Sequence, residues 1–400
     1  MRFRIIFTLA LLAVFTYSAA DASGQTAGPQ INEIHMLDAR RGWAWTSGLG
    51  GHRHLLRTIN GAQTWRDVTP DAYPYTEEGS CFRDAQIAWV PIWNRTNYAS
   101  GLLHTIDGGK SWTLLTGTNS PVFSERSDCR FYNATYGVAQ TSDGGLGSAY
   151  YNYFETRDGG KTWKPIPLHP RDPDFSSGAS PFTFHLSNIC EDRMAFNPPG
   201  TLIIAYGDMG DEKPKGAVRI SVSSDSGKNW RDLSLPLPAE FQAALSTPGE
   251  PVFFDAHHAV LDSHLVKENA NDSHAYDVVV FYASRDGGKN WELQPAVLRI
   301  DPNSWTDKVM AFAMNNIFVQ ADESFYVSHD GAKSWQKVTP NIAIGARAKR
   351  EVLELDFVNQ QLGWMIISDN IAMHPDGNYI LYKTADGGKT WAEVPVRVAN

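Results

Sequence analysis

One eight-residue pattern returns seven times along the chain, and no other feature restricts its fold as tightly. It reads TIDGGKSW at 105–112, TRDGGKTW at 156–163, SSDSGKNW at 223–230 and SRDGGKNW at 284–291. It continues as SHDGAKSW at 328–335 and TADGGKTW at 384–391, and a degenerate first copy, TINGAQTW at 58–65, has Asn60 in the Asp place. The closing Trp residues are spaced 44 to 67 residues apart. Average residue usage produces D-x-G-x-[STN]-W about once in roughly 10⁵ positions, so the recurrence is not chance. A fixed period of this size marks a repeat architecture in which each repeat is one supersecondary unit.

The octapeptide has the chemistry of a hairpin turn. The Asp (or Asn) at positions 60, 107, 158, 225, 286, 330 and 386 can accept backbone N–H groups, and the leading Ser or Thr hydroxyl can accept another. Glycines such as Gly108 and Gly109 permit the positive φ that the turn needs. The closing Trp opens the next strand and is expected to bury its ring between neighbouring sheets. Each of Asn60, Asp107, Asp158, Asp225, Asp286, Asp330 and Asp386 is therefore assigned a structural role. The same holds for Trp65, Trp112, Trp163, Trp230, Trp291, Trp335 and Trp391.

A second pattern precedes most copies. An Asx residue is followed four positions later by Gly or Ala at Asp38…Gly42, Asp84…Ala88, Asn133…Gly137, Asp255…Ala259 and Asn359…Gly363. Two residues before each Asx stand Met36, Phe82, Phe131, Phe253 and Phe357. This reads as an inner strand, an Asx turn and a second strand. A third strand follows, for example 217–222 or 277–282, and the octapeptide leads into a fourth. The 33 Gly and 13 Trp residues suit such a protein of turns and flat side chains. The expected fold is all-β, a seven-bladed β-propeller of four-stranded antiparallel blades.

The octapeptides resemble Asp boxes, also called BNR repeats, with one box in each blade from about residue 30 to the C-terminus. The resemblance implies a propeller related to photosystem II assembly factors, the sortilin luminal domain, sialidases and xyloglucan hydrolases. The Gly42-Trp43 and Gly363-Trp364 openings are most similar to the assembly-factor group. The stretch 194–200, Met-Ala-Phe-Asn-Pro-Pro-Gly, is closer to the sortilin and xyloglucanase pattern. In these families the boxes lie on the rim, away from any binding site.

Residues 1–22 stand outside the repeat. Arg2 and Arg4 precede an apolar run over 5–15 and the small-residue stretch Ser18-Ala19-Ala20-Asp21-Ala22. This reads as a secretory signal peptide, leaving a propeller over 23–400 that is secreted or periplasmic. No later run is long enough to span a membrane. A formal net charge of -9 argues against a nucleic-acid partner, since phosphate attraction needs a basic surface. No cofactor and no metal are expected. The His257-His258 and His52-x-His54 pairs lack a convincing ligand set. A monomer that binds a protein or carbohydrate fits best.

Topology selects the binding face. Asx turns and octapeptides lie on one face; the links over 69–80, 117–128, 168–185 and 238–251 lie on the other. Variable loops on a rigid scaffold are where function resides. Tyr73, Tyr75 and Arg126 ride on these loops. Arg83, Arg130 and Asp356 occupy inner strands lining the central channel, and Arg83 and Arg130 share strand-face parity, so they are candidates for one anion-binding patch. A structural ion pair for each arginine is the competing reading. Cys81 and Cys129 fall on opposite strand faces, which argues against a disulfide between them. Two functions are weighed: a non-catalytic binding or assembly module, and a secreted glycoside hydrolase. Hydrolases need two placed carboxylates, or a Tyr–Glu pair with arginines. The Arg-Ile-Pro motif of sialidases is missing near Ile31-Asn32-Glu33, so the binding module is preferred.

Overall fold

The computed structural model describes residues 29–46, 53–70, 79–93, 100–117, 119–123, 127–143, 150–167, 193–197, 200–206, 216–268, 274–300, 308–321, 323–345, 348–369 and 378–399. Seven antiparallel sheets follow one another along the chain and form a seven-bladed propeller ring. Their innermost strands are Ile31–Met36, Cys81–Phe82, Asp128–Phe131, Arg193–Asn197, Leu245–Pro248 with Val252–Phe253, Lys308–Ala313 and Glu351–Phe357. The ring closes between blades seven and one. There the strand Val398–Ala399 pairs in parallel with Trp65–Asp67, the fourth strand of blade one.

The octapeptide turns have the hydrogen bonds their chemistry predicts. In blade two, Asp107 Oδ1 accepts the Lys110 and Ser111 N–H groups at 3.0 Å each, and Oδ2 accepts the Ser111 hydroxyl at 2.6 Å. Thr105 Oγ1 donates to Asp107 at 2.9 Å and accepts the N–H of Gly109, whose φ of 78° suits a residue without Cβ. Asn60 reproduces the main contact by accepting Thr64 N–H at 3.0 Å. In the Asx turns, Asp38, Asp84, Asn133, Asp255 and Asn359 each accept two backbone N–H groups, two and three residues on. The two kinds of turn dock on each other within a blade, as in Gly108 N–H to Gln86 O at 2.9 Å and Gly159 N–H to Thr135 O at 2.8 Å. Both therefore share one face of the disc.

We expect Asp158→Ala to cost about 1–3 kcal/mol. It removes the acceptor of the Lys161 and Thr162 N–H groups and of two hydroxyls. Urea unfolding measures the loss, and Asp158→Asn should recover part of it. An unchanged midpoint would deny the turn its structural role.

The core lies between blades rather than in one centre. Trp43, Trp45 and Leu55 of blade one pack on Ala88, Val90 and Leu103 of blade two; Trp89 and Leu102 of blade two pack on Phe131 and Ala139 of blade three. One device recurs: the aromatic two residues before an Asx stacks on a second-strand aromatic of the preceding blade. The pairs are Phe82 on Trp43 (5.3 Å), Phe131 on Trp89 (3.7 Å) and Phe357 on Phe318 (4.0 Å). At Gly137 and Gly363 the missing Cβ makes room for that ring. A Cβ at Gly137 would lie 2.5 Å from Phe131 Cδ1. The register of the Asx pattern is thus, in these three blades, a register of contacts between blades.

Blade five departs from the expectation of a plain inter-blade link over 238–251. The segment holds a 3-10 turn at Ala239–Phe241 and an inner strand at Leu245–Pro248. The strand then breaks and resumes at Val252–Phe253, both parts pairing with Ala259–Glu268. Pro251 has no N–H to continue a ladder. Gly249 lies so close to its neighbour strand that a Cβ would sit 2.2 Å from Asp262 Oδ1. The break leaves Glu250 off the ladder.

Candidate functional site

The inner strand Asp128–Phe131 begins at the loop-bearing end of the channel, where the inter-blade link arrives. Arg130 leaves it and gives its guanidinium to Glu250, at 2.6 Å from Nη1 to Oε1. Arg130 belongs to blade three and Glu250 to the strand break of blade five, so the pair passes blade four. Both groups stay wet: the side chains keep 46% and 38% of their exposure, because a channel wall crowds a group without covering it. Crowding works against the arginine's charge, but Glu250, Tyr132 and Asp128 outweigh it and raise the pKa above the usual arginine value. Asp128 is exposed on the same strand, and the same crowding raises its carboxyl against the pull of Arg130. The Tyr132 phenol is likewise raised by burial, and its hydroxyl is buried without a hydrogen-bond partner among the described residues.

Arg83 lies elsewhere. It follows the strand Cys81–Phe82, and its Nη1 pairs with Asp84 Oδ2 at 2.6 Å, in the Asx turn on the opposite face. Relative to the Asx residue it is two positions further along than Arg130, about 7 Å at the rise of a strand. Parity alone had put the two arginines in one patch. In the structure each has its own carboxylate, Asp84 for Arg83 and Glu250 for Arg130. Tyr73, Tyr75 and Arg126 lie outside the described residues, as do residues 1–28 and Cys190.

Asp356 belongs to the ring closure. Its Oδ2 accepts the backbone N–H of Met36, and Glu354 Oε2 accepts that of Ile34 at 2.8 Å. Two carboxylates of blade seven thus bond the inner strand of blade one. Burial pushes Asp356 up to about 7, opposed by the Met36 N–H. His35, beside Met36, is lowered by burial, against a hydrogen bond to the Phe82 backbone, and its ring lies 5.8 Å from that of Phe82.

The raised value fixes a sign. Between about pH 4 and pH 7 the folded chain holds a proton on Asp356 that the unfolded chain has released, so stability falls as pH rises through this window. The turn acids act oppositely and lower: hydrogen bonds from Ser111 hold Asp107 at about 2, so its stabilisation is lost only as pH falls below about 4. We expect Asp356→Asn to flatten the fall between pH 4.5 and 8 by about 1–3 kcal/mol, the full shift being discounted for partial exposure. Urea midpoints of both proteins across that range test it. Parallel profiles would remove Asp356 from the account.

His258 and His54 each pair with one carboxylate, and His52 lies outside the described residues. His258 Nδ1 lies 2.8 Å from Asp255 and His54 Nδ1 lies 2.7 Å from Asp67, each a two-residue contact. Among the described residues no group of three or more His, Cys, Asp or Glu could hold a metal ion. No helix there is long and apolar enough to cross a membrane. Sequence reasoning missed Glu250, Asp128 and Tyr132. The Gly-Glu-Pro stretch was the available signal, since Gly and Pro together interrupt a strand.

No protein-family model matches the chain, and no curated protein sequence does. Solved structures do. A polysaccharide lyase aligns with TM-score 0.51 and 10% identity, over 93% of this chain and 94% of its own. A prolyl endopeptidase aligns with TM-score 0.52 and 9% identity, over 92% of this chain and 48% of its own. An α-L-arabinofuranosidase from Fusarium graminearum aligns with TM-score 0.41 and 12% identity, over 79% of this chain and 95% of its own. Identities this low establish the propeller fold alone. A lyase and a peptidase share it, so the fold selects no chemistry.

Proposed function

We propose that the chain is an exported Asp-box propeller, akin to the assembly-factor and sortilin groups, which binds a protein or carbohydrate partner at the loop-bearing end of its channel without turning it over. A leader occupies residues 1–22 in this reading, the propeller 23–400, and the mature protein acts as a monomer in the periplasm or outside the cell. The contrast between the two ends of the disc carries it. On the turn face, the Asx and octapeptide acids are taken up by backbone N–H groups. At the other end Arg130 and Glu250 stay paired yet accessible to water, with Asp128 and Tyr132 beside them. A partner carboxylate can exchange with Glu250 on the guanidinium in the same charge-assisted geometry. Arg126, Tyr73 and Tyr75 supply the surrounding contacts.

One observation favours a glycoside hydrolase as the second reading. Asp128 and Glu250 flank Arg130, and Tyr132 lies within their electrostatic reach, a set that acid–base cleavage of a sugar can use. The two readings separate in one experiment. Sialosides, xyloglucan and arabinan oligosaccharides are incubated with the protein, and uronate-bearing oligosaccharides are titrated calorimetrically. Binding without release of sugar is expected. Arg130→Ala should weaken it by about 1.5–3 kcal/mol, and added salt should weaken it further. Reproducible release, lost in Glu250→Gln, would install the hydrolase instead.

A further inference from the structure

We infer that Cys81 and Cys129 are the two halves of a disulfide that staples blade two to blade three. The strands carrying them touch directly: Cys129 N–H donates to Gly79 O at 3.3 Å, and a Cβ at Gly79 would lie 2.7 Å from Asp128 Cα. Cys81 Sγ contacts the carbonyl of Cys129, and Cys129 Sγ lies 3.3 Å from the carbonyl of Gly79. Both thiols are free and buried in the structure, in one apolar cluster with Trp89 and Phe131. They also interact with each other. Each sulfur is therefore turned towards the partner strand, where the two backbones are in hydrogen-bond contact.

Opposite parity is what brings them together. Cys81 points from blade two towards blade three, and Cys129 from blade three back towards blade two. Neighbouring blades meet through opposite faces, so residues on the same face would point away from each other.

The bond forms by exchange with a disulfide donor such as oxidised glutathione. One cysteine thiolate attacks a donor sulfur, giving a mixed disulfide and one donor thiolate. The second cysteine, deprotonated, attacks the protein sulfur of that mixed disulfide and expels the other donor thiolate. Two protons and two electrons leave the protein, and the donor is reduced to two thiols. Burial raises both thiols, so exchange belongs to folding, before the interface shuts. An exported chain meets such a donor, but the chemistry can be followed in vitro wherever the protein resides.

The test is to refold the protein with reduced and oxidised glutathione, alkylate under denaturing, non-reducing conditions and map the peptides. A Cys81–Cys129 cross-link about 2 Da lighter than the two thiol peptides is expected, with Cys190 alone alkylated. Reductant should lower the wild-type melting temperature by roughly 3–10 °C, given the 49-residue span from 81 to 129, and should leave a Cys81→Ala, Cys129→Ala variant unmoved. Three alkylated cysteines, or a cross-link through Cys190, would overturn the inference.

Discussion

Replacing Trp89 by Ala is expected to lower the unfolding free energy by about 3–5 kcal/mol, the range for deleting a large buried aromatic. Trp89 is fully buried and joins two blades in three ways. Its ring stacks on Phe131 of blade three at 3.7 Å and on His104 of its own blade at 4.8 Å. Its indole N–H donates to Gly159 O, in the octapeptide turn of blade three, at 3.1 Å. The substitution opens a cavity at the interface and leaves a buried carbonyl without its donor. Trp89→Phe keeps part of the stacking and loses the N–H and a fraction of the ring volume, so it should cost less, about 1–3 kcal/mol. Urea unfolding followed by circular dichroism separates the two. Equal losses for Ala and Phe would mean that the hydrogen bond, rather than the packed ring, dominates.

Deleting residues 397–400 should cost about 3–6 kcal/mol, although few side chains are removed. Val398–Ala399 is the strand of blade seven's continuation that pairs with blade one, and Trp65 N–H donates to Arg397 O at 2.7 Å. The deletion removes these ladder bonds, at about 0.5–1.5 kcal/mol each. It also uncovers Trp65, now 1% exposed, whose loss of burial adds about 2–3 kcal/mol. A ring differs from an open array in that its last unit contacts its first, so this seam has no neighbour to compensate. A loss of unfolding free energy below about 1 kcal/mol would show that Ile34 and Met36 on Trp364 and Ile366 close the ring unaided.

The fold was legible because its determinants are local and repeated. An Asp with a Ser or Thr two residues before it and a hydroxyl or amide four residues after it closes its turn with its own neighbours, whatever the blade. Phe131 and Gly137 were legible for the same reason: the ring and the space for it lie six residues apart in one blade. Blade five shows where this stops. Its inner strand, Leu245–Pro248 and Val252–Phe253, carries a break that the repeat does not contain, so the repeat pattern gives no sign of its first half.

The site was less legible. Arg130 was singled out from its strand position, but its partner is 120 residues away in a blade that is not adjacent. Arg83 shares its parity, and its pairing with its own neighbour Asp84 is something parity does not report. Asp356 was placed at the channel, and only the packed ring shows it bonded to the backbone of blade one.

The sequence by itself determined the number of blades, the four strands in each, the turn chemistry of the acids and the face on which those turns lie. The turn chemistry follows from hydrogen bonds within about four residues, and the rest from contacts within a single repeat. Tertiary structure alone decided which blade faces meet, and with that the approach of Cys81 to Cys129, the Arg130–Glu250 pair and the carboxylates that close the ring. The physical reason is that alternation along a strand sends a side chain to one side or the other, while what it meets there depends on the direction and curvature with which seven sheets pack into a circle.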